Sequence, residues 1–277
     1  MKKQIIFVVF IVALIVGLAV FVFSKPNTDS VTATVVPGGK TVVIPPHAVE
    51  VAPNVFDLGT VNINGEVLQG YMFIHYKDEF THKPSHDGAA TTTSSCYAFL
   101  SQGARWKNTE QYVIGDGIDP ALTETSLEAW DSQVSFDIFG IRNTSAIVDG
   151  ADTSAPDNKN EIFFGNIASP GVIASTIVWG IFGGKPSQKR LVEFDAVFDN
   201  VDFNWGNAGP TSETSLGDTS IMDYQNIATH ELGHAAGMGH PANTCTEETM
   251  YAYATEGETK KRTLNAGDIA GVNKLYQ

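Results

Sequence analysis

The feature that most constrains this 277-residue chain is the run HELGHAAGMGH at residues 230–240. Residues four apart on a helix share a face, so His230 and His234 can point their imidazoles at one metal ion. Gly237 can adopt the backbone angle that ends a helix, and the bend can bring His240 back as a third nitrogen ligand. Three protein ligands and one open position are typical of a catalytic zinc, not a structural one.

Glu231 directly follows the first histidine and completes the predicted catalytic set. Zinc lowers the pKa of a water molecule that it binds, and an adjacent carboxylate can take the released proton as general base. The competing interpretation is an amphipathic helix with buried, hydrogen-bonded histidines. The added glycine and third histidine make a chance match rare, so we predict one catalytic Zn²⁺.

The extended motif resembles that of the metzincin zinc endopeptidases, and more closely their matrixin-like branch. Residues 223–229 lead into the first histidine as in many matrixin-like proteins, residues 249–251 resemble the Met-turn, and residues 262–272 resemble the closing helix. The resemblance covers residues 96–277. It implies an α/β (α+β) fold with a twisted mixed sheet, an active-site helix and a C-terminal helix, and it implies protein or peptide substrates.

The same resemblance assigns supporting roles around the zinc. Met250 would pack beneath the histidines without binding the metal, and Tyr251 would shape the cleft. Asp268 would hydrogen-bond the Met-turn backbone, or else act as a charge that favours the N-terminus of a surface helix. The run 172–179 would be the edge strand above the cleft, where an unpaired edge can accept an extended peptide as an added strand.

Departures from the matrixin pattern leave two questions open. No cysteine stands in the Pro-Arg-Cys-Gly pattern that caps the zinc of latent matrixins, and Gly267 replaces the first of two aspartates in the closing helix. Activation therefore need not follow the usual route. A catalytically silent, zinc-stabilised cell-surface binding protein on the same fold is the alternative function, although zinc binding alone does not need Glu231. A third hypothesis is an enzyme that trims only one dedicated partner, such as itself.

Acidic residues in two loops make Ca²⁺ a second candidate ion, because calcium prefers oxygen ligands. The carboxylates are Asp149, Asp152 and Asp157 in one loop and Asp195, Asp199 and Asp202 in the other. Neither loop has the spacing of an EF-hand, and acidic loops are often simply solvated.

The N-terminus predicts export. Lys2 and Lys3 precede an uncharged apolar run at residues 5–23, which is close to the roughly 20 residues that span a bilayer. We interpret residues 1–23 as an uncleaved signal anchor, with a cleaved signal peptide as the alternative. The positive residues place the N-terminus in the cytoplasm, so the remainder would lie on the extracellular side of the membrane or be secreted.

The rest of the chain divides into three parts. Residues 24–46 are rich in Thr, Val, Pro and Gly and predict a linker. Residues 47–95 predict a small β-rich pro-segment or spacer, with Asn64-Gly65 as a hairpin turn. Residues 96–277 form the predicted metallopeptidase domain, in which Asp119 caps a helix that starts at Pro120.

Two cysteines, Cys96 and Cys245, are the only ones in the chain. In an exported protein such a pair predicts a disulfide; the alternative is that Cys96 is a displaced zinc-capping thiol. With 43% hydrophobic and 17% charged residues the chain is globular. A net charge of −14 makes a nucleic-acid partner unfavourable, and we expect a monomer.

Overall fold

The computed structural model describes residues 40–78, 95–209 and 216–277. The predicted signal anchor at residues 1–23 and most of the predicted linker lie outside these ranges. Within the described ranges, no helix has both the length and the apolar character needed to cross a membrane.

Strands dominate the described part of the chain, and three helices accompany them. The strands are β1 (Thr41–Val42), β2 (Val49–Ala52), β3 (Val55–Ile63), β4 (Glu66–Lys77), β5 (Ala98–Phe99), β6 (Glu110–Ile114), β7 (Phe139–Arg142), β8 (Glu161–Ile167), β9 (Val172–Ile181), β10 (Arg190–Asp199), β11 (Trp205–Gly206), β12 (Met222–Asp223), β13 (Met238–Gly239) and β14 (Tyr253–Ala254). The helices are α1 (Pro120–Asp131), α2 (Tyr224–Ala235) and α3 (Ala266–Tyr276), with 3-10 turns at Pro186–Gln188 and Lys260–Arg262.

The main sheet is mixed, as the resemblance implied, and it has ten strands in the described part of the chain. Its strand order is β2-β3-β4-β9-β10-β8-β6-β7, with β1 added beside β8 and β14 beside β4. Strands β10, β8, β6 and β7 run parallel, whereas β9 is antiparallel to β10. The expectation that β9 is an unpaired edge is wrong in this structure, because β4 pairs with it along its length.

The hairpin predicted around Asn64-Gly65 is present, and both turn residues have positive φ. Its strands β3 and β4 extend the sheet of the downstream region. The end of the predicted linker also belongs to this sheet, because Thr41–Val42 pairs in parallel with β8. Residues before and within the predicted pro-segment are thus joined to residues 96–277 by backbone pairing.

Helix α1 begins where its sequence predicted. The Asp119 side chain accepts a hydrogen bond from the Ala121 amide at 2.8 Å, and Pro120 is the first helical residue. The strand directly before this helix is β6, which starts at Glu110. Trp106 precedes it as a core residue whose indole N–H donates to the Ala235 carbonyl at 2.8 Å.

Two apolar cores lie on opposite faces of the sheet. The larger core packs the three helices against one face, with Trp106, Trp130 and Phe194 fully buried in it. The smaller core, around Met72 and Trp179, covers the other face. Alternation along β4 divides its side chains between the two cores, which places one set of them directly over α2.

Candidate active site

Helix α2 carries the first part of the motif and is fixed at its start. The Asp223 carboxylate accepts from the Asn226 amide at 2.9 Å and therefore caps the helix. The same carboxylate forms an ion pair with Arg262. In addition, Arg262 Nε donates to Asp223 Oδ1 at 2.8 Å. This pair joins the helix start to the segment that precedes α3.

The three motif histidines converge. His234 Nε2 lies 3.1 Å from His230 Nε2 and 3.0 Å from His240 Nε2. Helical spacing brings the first two together, and Gly237, with φ of 97°, turns the chain so that His240 returns. The Gly237 amide donates to the His234 carbonyl at 2.9 Å, and this bond closes the helix end.

The donor set fits a zinc ion. His230 Nδ1 donates to the Thr249 carbonyl at 2.7 Å and His234 Nδ1 donates to the Met238 carbonyl at 3.0 Å. These bonds place the hydrogen on Nδ1, so each Nε2 presents a lone pair to the others. Lone pairs about 3 Å apart repel unless a cation lies among them, and anchoring the other ring nitrogen is usual for histidine ligands of zinc. Burial also lowers the pKa of all three imidazoles, which keeps them neutral.

Glu231 is fully buried beside this triad. Its Oε2 accepts from the Thr176 hydroxyl at 2.6 Å, and its Oε1 lies 3.1 Å from His75 Nδ1. Burial raises the pKa of Glu231 to about 8, while the Thr176 hydrogen bond and the Lys261 charge favour the ionised form. A carboxyl whose pKa lies near neutrality is suited to taking and returning a proton.

Met250 lies beneath the site in close contact with α2. A Cβ built on Gly233 would lie 2.2 Å from the Met250 Sδ and 2.5 Å from Trp130 Cζ2. Trp130 also donates its indole N–H to the Thr229 carbonyl at 2.8 Å. The glycine inside the motif therefore lets the helix backbone approach the methionine and the tryptophan.

Asp268 and Tyr251 both lie at the turn that carries Met250. The Asp268 carboxylate accepts from the Thr249 amide at 2.7 Å and the Met250 amide at 3.2 Å, so it fixes the turn from below. Tyr251 packs against Tyr253, with 5.6 Å between ring centroids, and its ring lies 5.7 Å from the Lys261 ammonium.

Three residues at the site have no counterpart in the sequence prediction. Phe73 stacks on His234 with 3.9 Å between ring centroids, and His75 lies 4.0 Å from the His230 ring. Lys261 is fully buried, and its ammonium lies 3.3 Å from His75 Nε2. A histidine and an aromatic residue two apart in a strand carry no spacing signal, and a buried lysine is not expected from a charged Lys-Lys-Arg run.

The predicted disulfide is present. Cys96 and Cys245 are bonded, and they are 149 residues apart in the sequence. The alternative role of Cys96 as a zinc-capping thiol is therefore wrong. The bond ties the start of the described domain to the loop between the third histidine and Met250.

One acidic cluster joins a predicted loop to strand β10. The expectation that Asp195 and Asp199 lie in a loop is wrong, because both belong to β10. Asp152, Glu193 and Asp195 each offer an oxygen within 4.8 Å of the others. The remaining predicted carboxylates are used otherwise: Asp149 and Asp157 pair with Lys159. Asp199 accepts from backbone amides, including that of Val201 at 2.8 Å.

A mixed sheet above a helix that carries two histidines and a carboxylate, with a third histidine returning after the helix end, is the arrangement that the metzincin resemblance implied. The profile of the matrixin peptidase family matches residues 105–277, well over half of the chain. The chain belongs to the matrixin family.

Several curated relatives agree over shorter stretches. Human matrilysin is 38% identical over 82 residues, which cover 30% of this chain and 26% of matrilysin. Metalloendoproteinase 2-MMP of Arabidopsis thaliana is 34% identical over 77 residues (28% of this chain and 19% of the relative). Metalloendoproteinase 1 of Glycine max is 32% identical over 77 residues (28% and 24%). The chain thus spans about a quarter or less of each of these relatives.

Proposed function

We propose that this protein is a zinc-dependent endopeptidase that hydrolyses peptide bonds of extracellular proteins, with Glu231 as general base. The observation that carries the proposal is the convergence of three Nε2 atoms, from His230, His234 and His240, beside a buried carboxylate. Names of the relatives, matrilysin and metalloendoproteinase, support the same reaction class.

The roles of the chain's own groups follow from the geometry. His230, His234 and His240 would hold the ion, which supplies a Lewis acid that polarises a carbonyl and acidifies water. Glu231 takes the proton from the attacking water and returns it to the leaving amine. The Thr176 hydroxyl holds Glu231 Oε2, so Oε1, which His75 Nδ1 contacts at 3.1 Å, is the oxygen that would move the proton.

The substrate would bind as an extended strand. Strand β9 passes over α2, and its Thr176 contacts Glu231 directly. Backbone pairing along the side of β9 that β4 occupies in this structure would position a peptide without reading its side chains. This mode suits a protein substrate.

A direct test compares hydrolysis and zinc content in one sample. The zinc-loaded full chain, carrying a specific protease recognition sequence between Asp78 and Ser95, is assayed on a mixed peptide library before and after it is cut there. We expect about one zinc per chain and hydrolysis that both a chelator and Glu231→Gln abolish. Bound zinc without hydrolysis in either state would favour the silent binding protein, and a folded chain that binds no zinc would overturn the proposal.

We also propose that residues 1–23 direct export and hold the protein at the extracellular face of the membrane. The support is the two lysines followed by the apolar run. Mass measurement of the protein recovered from its membrane fraction distinguishes a retained anchor from a cleaved signal peptide.

Calcium at the acidic cluster is a further proposal. Asp195 Oδ1 and Glu193 Oε1 are buried and have no hydrogen-bond partner, and for ionised carboxylates this is unfavourable unless a cation is bound. Oxygen ligands of this kind suit calcium. The melting temperature of the zinc-loaded protein should rise with CaCl₂, and Asp195→Asn should remove that rise. Asp202→Asn is the control and should keep the rise, because Asp202 lies outside the cluster and its backbone amide donates to Asp199. An equal rise in both variants would contradict this assignment.

A further inference from the structure

We propose that a basic cleft beside the C-terminal end of α3 is a docking site for a short, carboxylate-rich segment of a partner protein. The cleft has a volume of about 350 Å³. Residues 99–107, the 3-10 turn at Pro186–Gln188 and the end of α3 form its walls. We define the basic cleft by the three cations that line it, Arg105, Lys107 and Lys274.

The first observation is the sign of the charge in the basic cleft. The whole chain carries a net charge of −14, yet no aspartate or glutamate of the described ranges lines this cleft. Cations gathered on one concave surface focus a positive field there. An anion is therefore attracted to the basic cleft, although the chain as a whole repels it.

The second observation is how two of the cations are bonded. Arg105 donates to the main-chain oxygens of Leu275 and Gln277 at 2.9 and 3.0 Å, which fixes its guanidinium at the end of α3. Lys274 Nζ donates to the neutral Tyr97 hydroxyl at 3.1 Å. The Lys274 charge is thus held in place without a carboxylate beside it.

Lys107 is the third cation, and it is exposed. Among the residues that the structure describes, its ammonium has neither an ion pair nor a hydrogen bond. Desolvation and the neighbouring Arg105 charge both lower the pKa of Lys107. A carboxylate bound between the two cations would offset that repulsion, because an opposite charge favours the ionised form.

The third observation is what surrounds the charges. Apolar side chains of Phe99, Pro186 and Leu275 line the basic cleft, together with the polar side chains of Gln102 and Ser187. Apolar groups can pack against the stem of a glutamate side chain, and amide and hydroxyl groups can hydrogen-bond peptide groups. A sulfated polysaccharide offers more charge and less apolar surface, so the mixed lining favours an acidic peptide.

The size of the basic cleft favours a short segment. Its volume is near the lower end of the range for small-ligand sites. A long polyanion would have to continue over the surface of a strongly acidic chain, which repels it. None of the three metal-binding histidines lines the cleft, so binding there can be measured without hydrolysis.

The experiment is a fluorescence-anisotropy titration with the zinc-loaded full chain. The probe is a fluorescein-labelled peptide with three successive glutamates between glycines, and the matched probe has three glutamines instead. We expect saturable binding of the glutamate peptide only, weakened at least threefold when NaCl is raised from about 50 to about 500 mM, because salt screens exposed charges. Equal binding of the two peptides would overturn the proposal.

Point variants test whether the basic cleft is the binding site. Lys107→Gln should weaken binding of the glutamate peptide at least threefold, and Lys107→Gln combined with Lys274→Gln at least tenfold. Both lysines are exposed, so the melting temperature should stay that of the parent. Lys260→Gln is the control and should bind as the parent does, because Lys260 Nζ donates to the Thr246 carbonyl outside the cleft.

Two outcomes would contradict the docking site. Equal affinity in the double variant and in Lys260→Gln would place the peptide elsewhere on the chain. A heparin hexasaccharide, titrated in parallel, distinguishes the class of partner. Binding of the hexasaccharide that needs Lys107, with no binding of the glutamate peptide, would replace the acidic peptide by a sulfated polysaccharide.

Discussion

The two sides of the active-site groove are held in different ways. Its floor, which we define as α2, the turn around Met250 and α3, is closely packed, since even a methyl group at Gly233 would overlap Met250 and Trp130. Its roof, which we define as β4, is joined to β9 by backbone pairing and touches the floor mainly through Phe73 and His75.

This difference separates the contacts that orient the metal-binding histidines from the strand that covers them. Backbone carbonyls orient two of the three metal-binding imidazoles: that of Thr249 orients His230 and that of Met238 orients His234. Neither bond involves β4. The hydrogen bonds that orient His230 and His234 therefore do not depend on the roof, whereas a change in the floor should alter them directly.

The largest expected effect is on the floor's chemistry. Glu231→Gln removes the proton acceptor but keeps the shape of the side chain, so hydrolysis by the cut chain should fall by roughly a thousandfold while zinc content stays the same. Glu247 is an exposed carboxylate, so Glu247→Gln is the control and should be as active as the parent. Retained activity in Glu231→Gln would assign the base elsewhere.

The disulfide supports the floor and should matter next most. Replacing Cys96 and Cys245 together by serine removes a link that closes a 149-residue separation, and the chain-entropy argument gives a loss of about 4–5 kcal/mol in the free energy of unfolding. Urea unfolding measures this loss, and reduction of the parent protein should reproduce it. A loss below about 1 kcal/mol would show that other contacts hold this loop.

Close packing in the floor gives a third comparison. Gly233→Ala should lower the free energy of unfolding by about 2–3 kcal/mol, because the methyl group would push the Met250 and Trp130 side chains away from α2. Gly183→Ala is the matched control, since a Cβ there meets nothing within 4 Å. Similar stability in the two variants would mean that the floor yields more easily than its geometry indicates.

The smallest effect concerns the support behind the floor. Asp131, at the end of α1, accepts from the Ile138 amide at 2.7 Å, and burial raises its pKa to about 6 from an ordinary 3.8. The folded state thus favours the protonated form, so this contribution to stability is present below about pH 4 and is lost as the pH rises through 6. Asp131→Asn should remove about 1–2 kcal/mol of that pH dependence, measured by urea unfolding at pH 4 and pH 7. An unchanged profile would show that another group titrates there.

Local patterns predicted the floor much better than the roof. His230, His234 and His240 are close in sequence, and a helix followed by Gly237 is enough to bring them together. The α1 start at Asp119 is local in the same way.

The roof depends on pairing between distant strands. Phe73 lies opposite Thr176 about a hundred positions later in the sequence. Strands pair through backbone groups that all residue types except proline carry in full. The sequence of β4 therefore does not predict which strand it pairs with. The same reason hid Glu193, which enters the acidic cluster from within a strand and not from a predicted loop.

Gly267 packs directly against the backbone of the disulfide residue Cys96. A Cβ at Gly267 would lie 2.1 Å from the Cys96 carbonyl oxygen and 2.7 Å from Glu248 Cδ, so the disulfide-anchored backbone fills the space that a side chain would need. A first aspartate in the closing helix is therefore incompatible with this position of Cys96. We expect homologues that inherit the cysteine pair to inherit the glycine with it, and lineages that carry the aspartate to lack the pair, so that the three positions evolve as one character.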